Sequence, residues 1–383
     1  MKDILMFVGK GYPPGIGGSS TVITNLFSGI DPKKVHAIAG SLQIIDDRKL
    51  AFKENRIQKS WFLKSNLPFL WRLYVIENIF RYIYYGLKIT RSKNINRILL
   101  IFPDTSSFIG GYIVARIRNI EYHTYFIDLL SDSRRYILEY ILLKLFEKKI
   151  LRTSHKVYSL SDGLSKYYSK IVDREYILLP HTYIPIRNNE VSIFNKNKEN
   201  KSILFAGQIH GISLDALQNL VKAVRKIDQF EISVKILTNQ PKEFLRNNGL
   251  MDDFVFCQFI SDYDDFLTSQ SEADILFSPV AFMSPYPKQA ETCFPTKTLD
   301  YVNAGRPILV NAPENYFYTK YMTKYKCALV VSSFEPDELK KGILRLLMDN
   351  KLQNKLIKNA KIMAETNHNK TNIQKRLVEN LFY

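Results

Sequence analysis

At 383 residues the chain is long enough for two domains, each with its own core. Apolar residues make up 46% of it, as in a globular protein, and aromatics 13%. Its 54 Lys+Arg against 37 Asp+Glu give a net charge of +17. That excess leaves three anionic partners, namely nucleic acid, a membrane surface or phosphorylated substrates. The alternative is the Lys/Asn/Ile-rich usage of an AT-rich genome. Cys257, Cys293 and Cys327 show no CxxC or Cys/His spacing, which argues against zinc and against a disulfide partner, and suits a reducing cytosol. No apolar run reaches the roughly 18 residues of a membrane span. The apolar run in MKDILMFVGKGYPP is too short for a signal peptide.

In chain order, ILMFV at 4–8 reads as a buried strand, GKGYPPGIGGSS as a glycine loop and the segment from about Ser20 as a helix. That opens a βα unit. HAIAG (36–40) follows as a strand, and 61–93 is aromatic and basic with helical spacing. RILLIFP (97–103) is a strand, GGYIVARIR a helix, TYFIDLL (124–130) a strand and 134–152 a basic helix. KVYSL, DGLSKYYSKIV and EYILLP continue as strand, helix and strand. Residues 183–200 are polar and aperiodic and read as a linker. The alternation then restarts with SILFAG (202–207), ISVKILT, FVFCQFI, DILFSPV, ILV and CALVV as strands between helices. This predicts two parallel α/β sheets, with domains at 1–182 and 201–365.

Three stretches carry chemistry. In PPGIGGSS, Gly17 and Gly18 allow close backbone approach to a ligand, although the spacing is neither GxGxxG nor a Walker loop. In FAGQIHG, Gly207 ends a strand, with Gln208 and His210 able to hydrogen-bond beside it. An ordinary βα turn, and a turn glycine with a surface histidine, are the plain alternatives. The third is ETCFPTKTLDYVNAGRPILV (291–310). It reads as loop, short helix, glycine stop and strand, with Thr296 as candidate N-cap. The backbone donors within 295–298 (Pro295 itself has no N–H), Lys297 and Asp300 would meet a phosphate and a sugar hydroxyl.

The order and spacing of these stretches resemble a GT-B glycosyltransferase, close to family 4. PPxxGG follows the first strand, SEADILFSP precedes the acidic/glycine segment, and FPTKTLDYVNAGRPI is similar to the PxKxxEYxxxG variant of polysaccharide-building members. The resemblance spans nearly the whole chain. It implies two Rossmann-like domains facing a cleft, with a final helix (about 366–383) packing back on the first domain. It implies a retaining, metal-independent transferase that moves a sugar from a UDP- or GDP-linked donor to a glycan or lipid-linked acceptor. By the same resemblance Asp300 holds the donor ribose. Thr292 stands where the family has its first glutamate, with Glu291 adjacent, and Gln208 stands where it has a basic residue. Lys297, with Thr296 and Thr298 beside it, is the expected replacement for the missing diphosphate charge. Asp128 is the candidate cleft aspartate, with a turn aspartate, or Asp132, as alternatives.

Asp262-Tyr263-Asp264 matches a DxD metal pattern but opens a helix, where acids complement the dipole, and no metal is expected. Trp61, Lys64, Trp71, Arg72, Arg81, Arg134 and Arg135 lie in amphipathic aromatic segments suited to an anionic membrane surface. The alternative is core aromatics with solvated charges. Nucleic acid is not an expected partner, since no motif for it is present. The expected location is the cytoplasm, peripheral on the inner membrane face. The rival readings are a non-catalytic GT-B paralogue and a GT-B sugar-nucleotide epimerase.

Overall fold

The structure is a computed structural model that describes residues 3–9, 12–13, 18–40, 50–58, 60–64, 73–130, 137–185 and 200–383. Most of the expected linker therefore lies outside the described residues. The chain divides into two compact units, Met1–Thr182 with Lys370–Tyr383, and Tyr183–Asn369.

Unit 1 begins with β1 (Ile4–Val8), α1 (Gly18–Phe27), β2 (Val35–Ala39), β3 (Lys53–Arg56), α2 (Trp61–Lys64) and α3 (Tyr74–Ser92). It continues with β4 (Arg97–Phe102), α4 (Thr105–Arg118), β5 (Glu121–Phe126), α5 (Ile137–Thr153), β6 (Val157–Ser159), α6 (Asp162–Ser169) and β7 (Ile177–Leu178). The strands run parallel in the order β3-β2-β1-β4-β5-β6-β7. β1 and β4 are buried along their whole length, as continuous apolar runs in a two-sided parallel sheet must be. Gly9 follows β1 because nothing larger fits, since a Cβ there would lie 2.0 Å from that of Asp104. Asp104 in turn caps α4 by accepting from the Ser107 N–H at 2.8 Å.

Unit 2 contains β8 (Asn200–Ala206), α7 (Leu214–Arg225), β9 (Glu231–Leu237), α8 (Lys242–Asn247), β10 (Val255–Gln258), α9 (Tyr263–Ser271) and β11 (Ile275–Pro279). α10 (Pro287–Thr292), α11 (Thr298–Ala304), β12 (Ile308–Asn311), α12 (Phe317–Lys324), β13 (Leu329–Val331), α13 (Pro336–Met348) and α14 (Asn350–Asn367) complete it. Its parallel order is β10-β9-β8-β11-β12-β13, so the order reverses at β8. In such sheets ligands bind at the carboxyl ends of the strands beside that reversal.

The chain then returns to unit 1 as α15 (Lys370–Leu381). Arg97, at the start of β4, fastens it. Its guanidinium donates to the Leu381 carbonyl at 2.7 Å and the Tyr383 carbonyl at 3.3 Å, and pairs with Glu121 at 2.7 Å. Gln374 adds bonds to the carbonyls of Asn25, Leu26 and Ser28 at the end of α1. Glu121 also meets His123 at 3.1 Å and His155 at 3.5 Å.

Two expectations need correction, and β3 is a strand that no expectation named, because KENR carries no apolar alternation. The strand expected at 124–130 runs instead over Glu121–Phe126, so Asp128 lies beyond its end. Thr296 does not cap a helix, because α11 begins at Thr298 with Lys297 at the N-cap position.

Candidate functional site

The carboxyl edge of β8 brings two of the sequence candidates together. Gly207 follows the end of β8, and its φ of +128° lies in a region that other residues rarely adopt. A Cβ on Gly207 would lie 3.7 Å from the Lys297 Nζ. That ammonium sits 3.8 Å from the centroid of the buried Phe205 ring, a cation–π geometry. Among the described residues no carboxylate pairs with it. Desolvation pushes its pKa down to about 7, only partly opposed by the nearby Cys293 thiol. A half-buried cation that lacks a counter-ion at a sheet's carboxyl edge is a place for an anion.

The other candidates of unit 2 are placed as follows. Asp300 is half-buried in the first turn of α11, and Thr296 is half-buried just before it. The Thr298 side chain turns into the core and donates to the Tyr318 hydroxyl at 3.0 Å. Glu291 pairs with Lys288 at 3.0 Å on α10. Thr292 is buried, its hydroxyl bonded back to the Lys288 carbonyl at 2.8 Å, so this position offers no carboxylate. Gln208 is exposed. His210 shapes the turn before α7, with its Nδ1 accepting from the Ile212 N–H at 3.4 Å and its carbonyl accepting from the Ser213 and Leu214 N–H groups. Asp262 caps α9, accepting from the Asp265 N–H at 2.9 Å.

In unit 1, Gly18 is the first residue of α1, and Gly17 lies outside the described residues. Asp128 follows β5 and accepts from the Leu129 N–H at 2.8 Å. The side chains of Lys64, Trp71, Arg72, Arg134 and Arg135 also lie outside the description. Trp61 is 61% exposed at the start of α2. Arg81 is occupied by an ion pair with Glu77 and a bond to the Gln58 carbonyl at 2.9 Å.

Sequence reasoning missed how apolar the outer helix faces are. Phe80 (67% exposed) and Tyr84 (62%) lie one turn apart on α3, and Ile137 (71%) and Leu145 (70%) lie two turns apart on α5. Tyr74 of α3 donates its hydroxyl to the buried Glu139 of α5, which joins the two helices. The charge is equally one-sided. Unit 1 holds 31 Lys+Arg against 16 Asp+Glu, a net +15, and unit 2 holds 23 against 21, a net +2. No helix among the described residues is long and apolar enough to cross a membrane.

Comparison with known proteins fits this architecture. Residues 187–363, just under half of the chain, match the family Glycosyl transferases group 1. No curated protein sequence matched. Among solved structures, HepE of Anabaena in complex with UDP and glucose is similar at 11% identity and a TM-score of 0.73, over 100% of both chains. Sucrose-phosphate synthase of Thermosynechococcus elongatus is similar at 14% identity and a TM-score of 0.72, over 100% of this chain and 99% of that one. An alpha,alpha-trehalose-phosphate synthase (UDP-forming) of Burkholderia vietnamiensis is similar at 8% identity and a TM-score of 0.68, over 100% of both. At such identities the likeness speaks for fold. The chain thus has the GT-B fold, and its second unit carries the match to the glycosyl transferases of group 1.

Proposed function

We propose that this protein is a retaining glycosyltransferase of the family 4 type. It moves a hexosyl unit from a UDP- or GDP-linked donor to a glycan or lipid-linked acceptor in cell-surface polysaccharide synthesis. The observation that carries this reading is Lys297, over Phe205 beside Gly207 and with no counter-ion among the described residues. A nucleoside diphosphate is the anion that fits. Its phosphates meet the ammonium, Gly207 leaves room for them, and Asp300 accepts from the ribose hydroxyls. The UDP bound to HepE supports the same class of ligand.

In the reaction the bond from the anomeric carbon to the diphosphate oxygen breaks while the acceptor oxygen bonds to that carbon. Negative charge grows on the leaving diphosphate. Lys297 stabilises it by an electrostatic contact that strengthens as the bond breaks. The departing phosphate takes the proton of the acceptor hydroxyl, so no carboxylate nucleophile is required. Asp128 is proposed as a contact for the sugar or acceptor.

Thermal-shift screening against UDP- and GDP-sugars tests the donor class. A ligand at 100 times its Kd adds about 2.7 kcal/mol to the stability of the unit that binds it. That is a rise of several degrees in Tm for a domain of this size. No stabilisation by any member of the panel would remove the reading. The buried Thr292 favours one rival, a non-catalytic paralogue. It predicts stabilisation by nucleotide with no turnover on any donor or membrane-extract acceptor.

The positive unit 1 and its exposed α3 and α5 faces support a second part of the proposal, peripheral attachment to an anionic membrane at the cytoplasmic face. The protein is expected to cosediment with phosphatidylglycerol vesicles, not with phosphatidylcholine vesicles, and to be released by high salt. Equal binding to both lipids would contradict it.

A further inference from the structure

β8 and β11, the two strands at the order reversal, are paired only at Ile203↔Ile275 and Leu204↔Leu276. Each keeps its other neighbour to the end, since β8 pairs with β9 up to Ala206 and β11 with β12 up to Pro279. The two strands therefore part just below the carboxyl edge. One side chain spans the gap. Tyr301 of α11, fully buried, accepts from the Ala206 N–H at 2.9 Å and donates to the Phe277 carbonyl at 3.2 Å. A hydroxyl can do both at once, which no apolar side chain can. Tyr301 lies one helical turn after Lys297, whose carbonyl accepts its N–H at 2.9 Å, so the two share a face of α11. A second buried tyrosine steadies the same helix. The Tyr318 hydroxyl bonds to Ser278 of β11 at 2.8 Å and to Thr298 of α11 at 3.0 Å.

We infer that the Tyr301 hydroxyl is a positioning group: by standing in for the missing β8–β11 ladder it fixes how far the strands part, and so holds Lys297 over Phe205 at the mouth of the gap. Apolar contact between the strand that carries Phe205 and Gly207 and the helix that follows Lys297 has no preferred direction, whereas the Tyr301 hydroxyl bonds do. Its meaning for catalysis rests on the donor reading above, but the placement of Lys297 does not, and the two can be tested apart.

The experiment is the pH profile of Lys297 acylation, read by mass spectrometry, in the wild-type protein and in Tyr301→Phe, Tyr318→Phe and Tyr158→Phe. Wild-type Lys297 should react with a midpoint near 7. In Y301F the midpoint should move up toward the ordinary lysine range as water enters the gap. In Y318F it should move less. In Y158F, which loses the buried Tyr158 contact to the His123 ring in unit 1, it should not move. A Y301F profile identical to wild type, or a Y318F shift as large as that of Y301F, overturns the inference. A parallel arm measures UDP and GDP affinity, expected to fall tenfold or more in Y301F. A moved profile with unchanged nucleotide affinity leaves the positioning role standing and removes the donor reading instead.

Discussion

Replacing Lys297 with methionine is expected to weaken UDP or GDP binding by about 10- to 100-fold, the effect of losing about 1.5–3 kcal/mol from a hydrogen bond to a charged group. Methionine keeps the length and apolar stem of the lysine, so Phe205 stays covered and only the charge is lost. The pH dependence should change with it. In the free protein the Lys297 pKa lies near 7 because its ammonium is desolvated. A bound diphosphate restores the charged form and raises that value. Between pH 7 and the ordinary lysine range binding therefore takes up a proton, and affinity falls as pH rises through this window. Calorimetry in two buffers of different ionisation enthalpy would show the uptake in the wild type and none in K297M. Stability should move the opposite way. A lysine whose pKa is lowered by folding weakens the fold progressively as pH falls from the ordinary lysine range to about 7, and fully below that, so K297M should be as stable as the wild type, or more so, at pH 6. Unchanged nucleotide affinity in a folded K297M would exclude Lys297 from the site.

Replacing Arg97 with methionine is expected to destabilise unit 1 by about 3 kcal/mol, the order of leaving two carbonyls without their donor at roughly 1–3 kcal/mol each. The loss has three parts, namely the Leu381 carbonyl at the end of α15, the Tyr383 carbonyl just beyond it and the Glu121 carboxylate. Urea denaturation should then show an early transition for unit 1 with unit 2 unaffected, since a two-unit chain need not unfold in one step. The same corner should make unit 1 sensitive to acid. His123 is buried against Tyr158 and Glu121, and desolvation pushes its pKa down to about 4. The unfolded chain binds a proton near pH 6.5 that the folded one refuses until about 4. Stability is thus full above that window and is lost as pH falls through it. His123→Gln should flatten this acid slope, and an unchanged slope would place the sensitivity elsewhere.

The fold was legible where the physics is local. ILMFV and the ILLIF that follows Arg97 are apolar throughout because both faces of a parallel sheet are covered, and Gly305, with its φ of +65°, stops α11 where the sequence placed a stop. β3 escaped because Lys53–Arg56 is an edge strand of polar residues, paired only through its backbone to β2. Lys297 and Gly207 were legible as a pair of strand-end and helix-start signals. Phe205 was not, since its place under an ammonium depends on a register between β8 and α11 that no spacing encodes. Tyr301 lay in plain view inside the same motif, but a tyrosine one turn after a lysine reads as core. Only the parting of two strands gives its hydroxyl a task.

The two crossings between the units also bear on how the molecule is made. Unit 2 is one uninterrupted stretch whose ends are joined, with the Tyr183 N–H donating to the His368 carbonyl at 2.6 Å and Tyr183 bridged to Asn369. It is an insertion within unit 1, and it can close on itself as soon as it has left the ribosome. Unit 1 cannot. Its sheet is synthesised first, but α15 and the carbonyls that satisfy Arg97 come last. During synthesis Arg97 can pair with Glu121 of β5, but the two carbonyls it also serves arrive only after the whole of the other unit has been made.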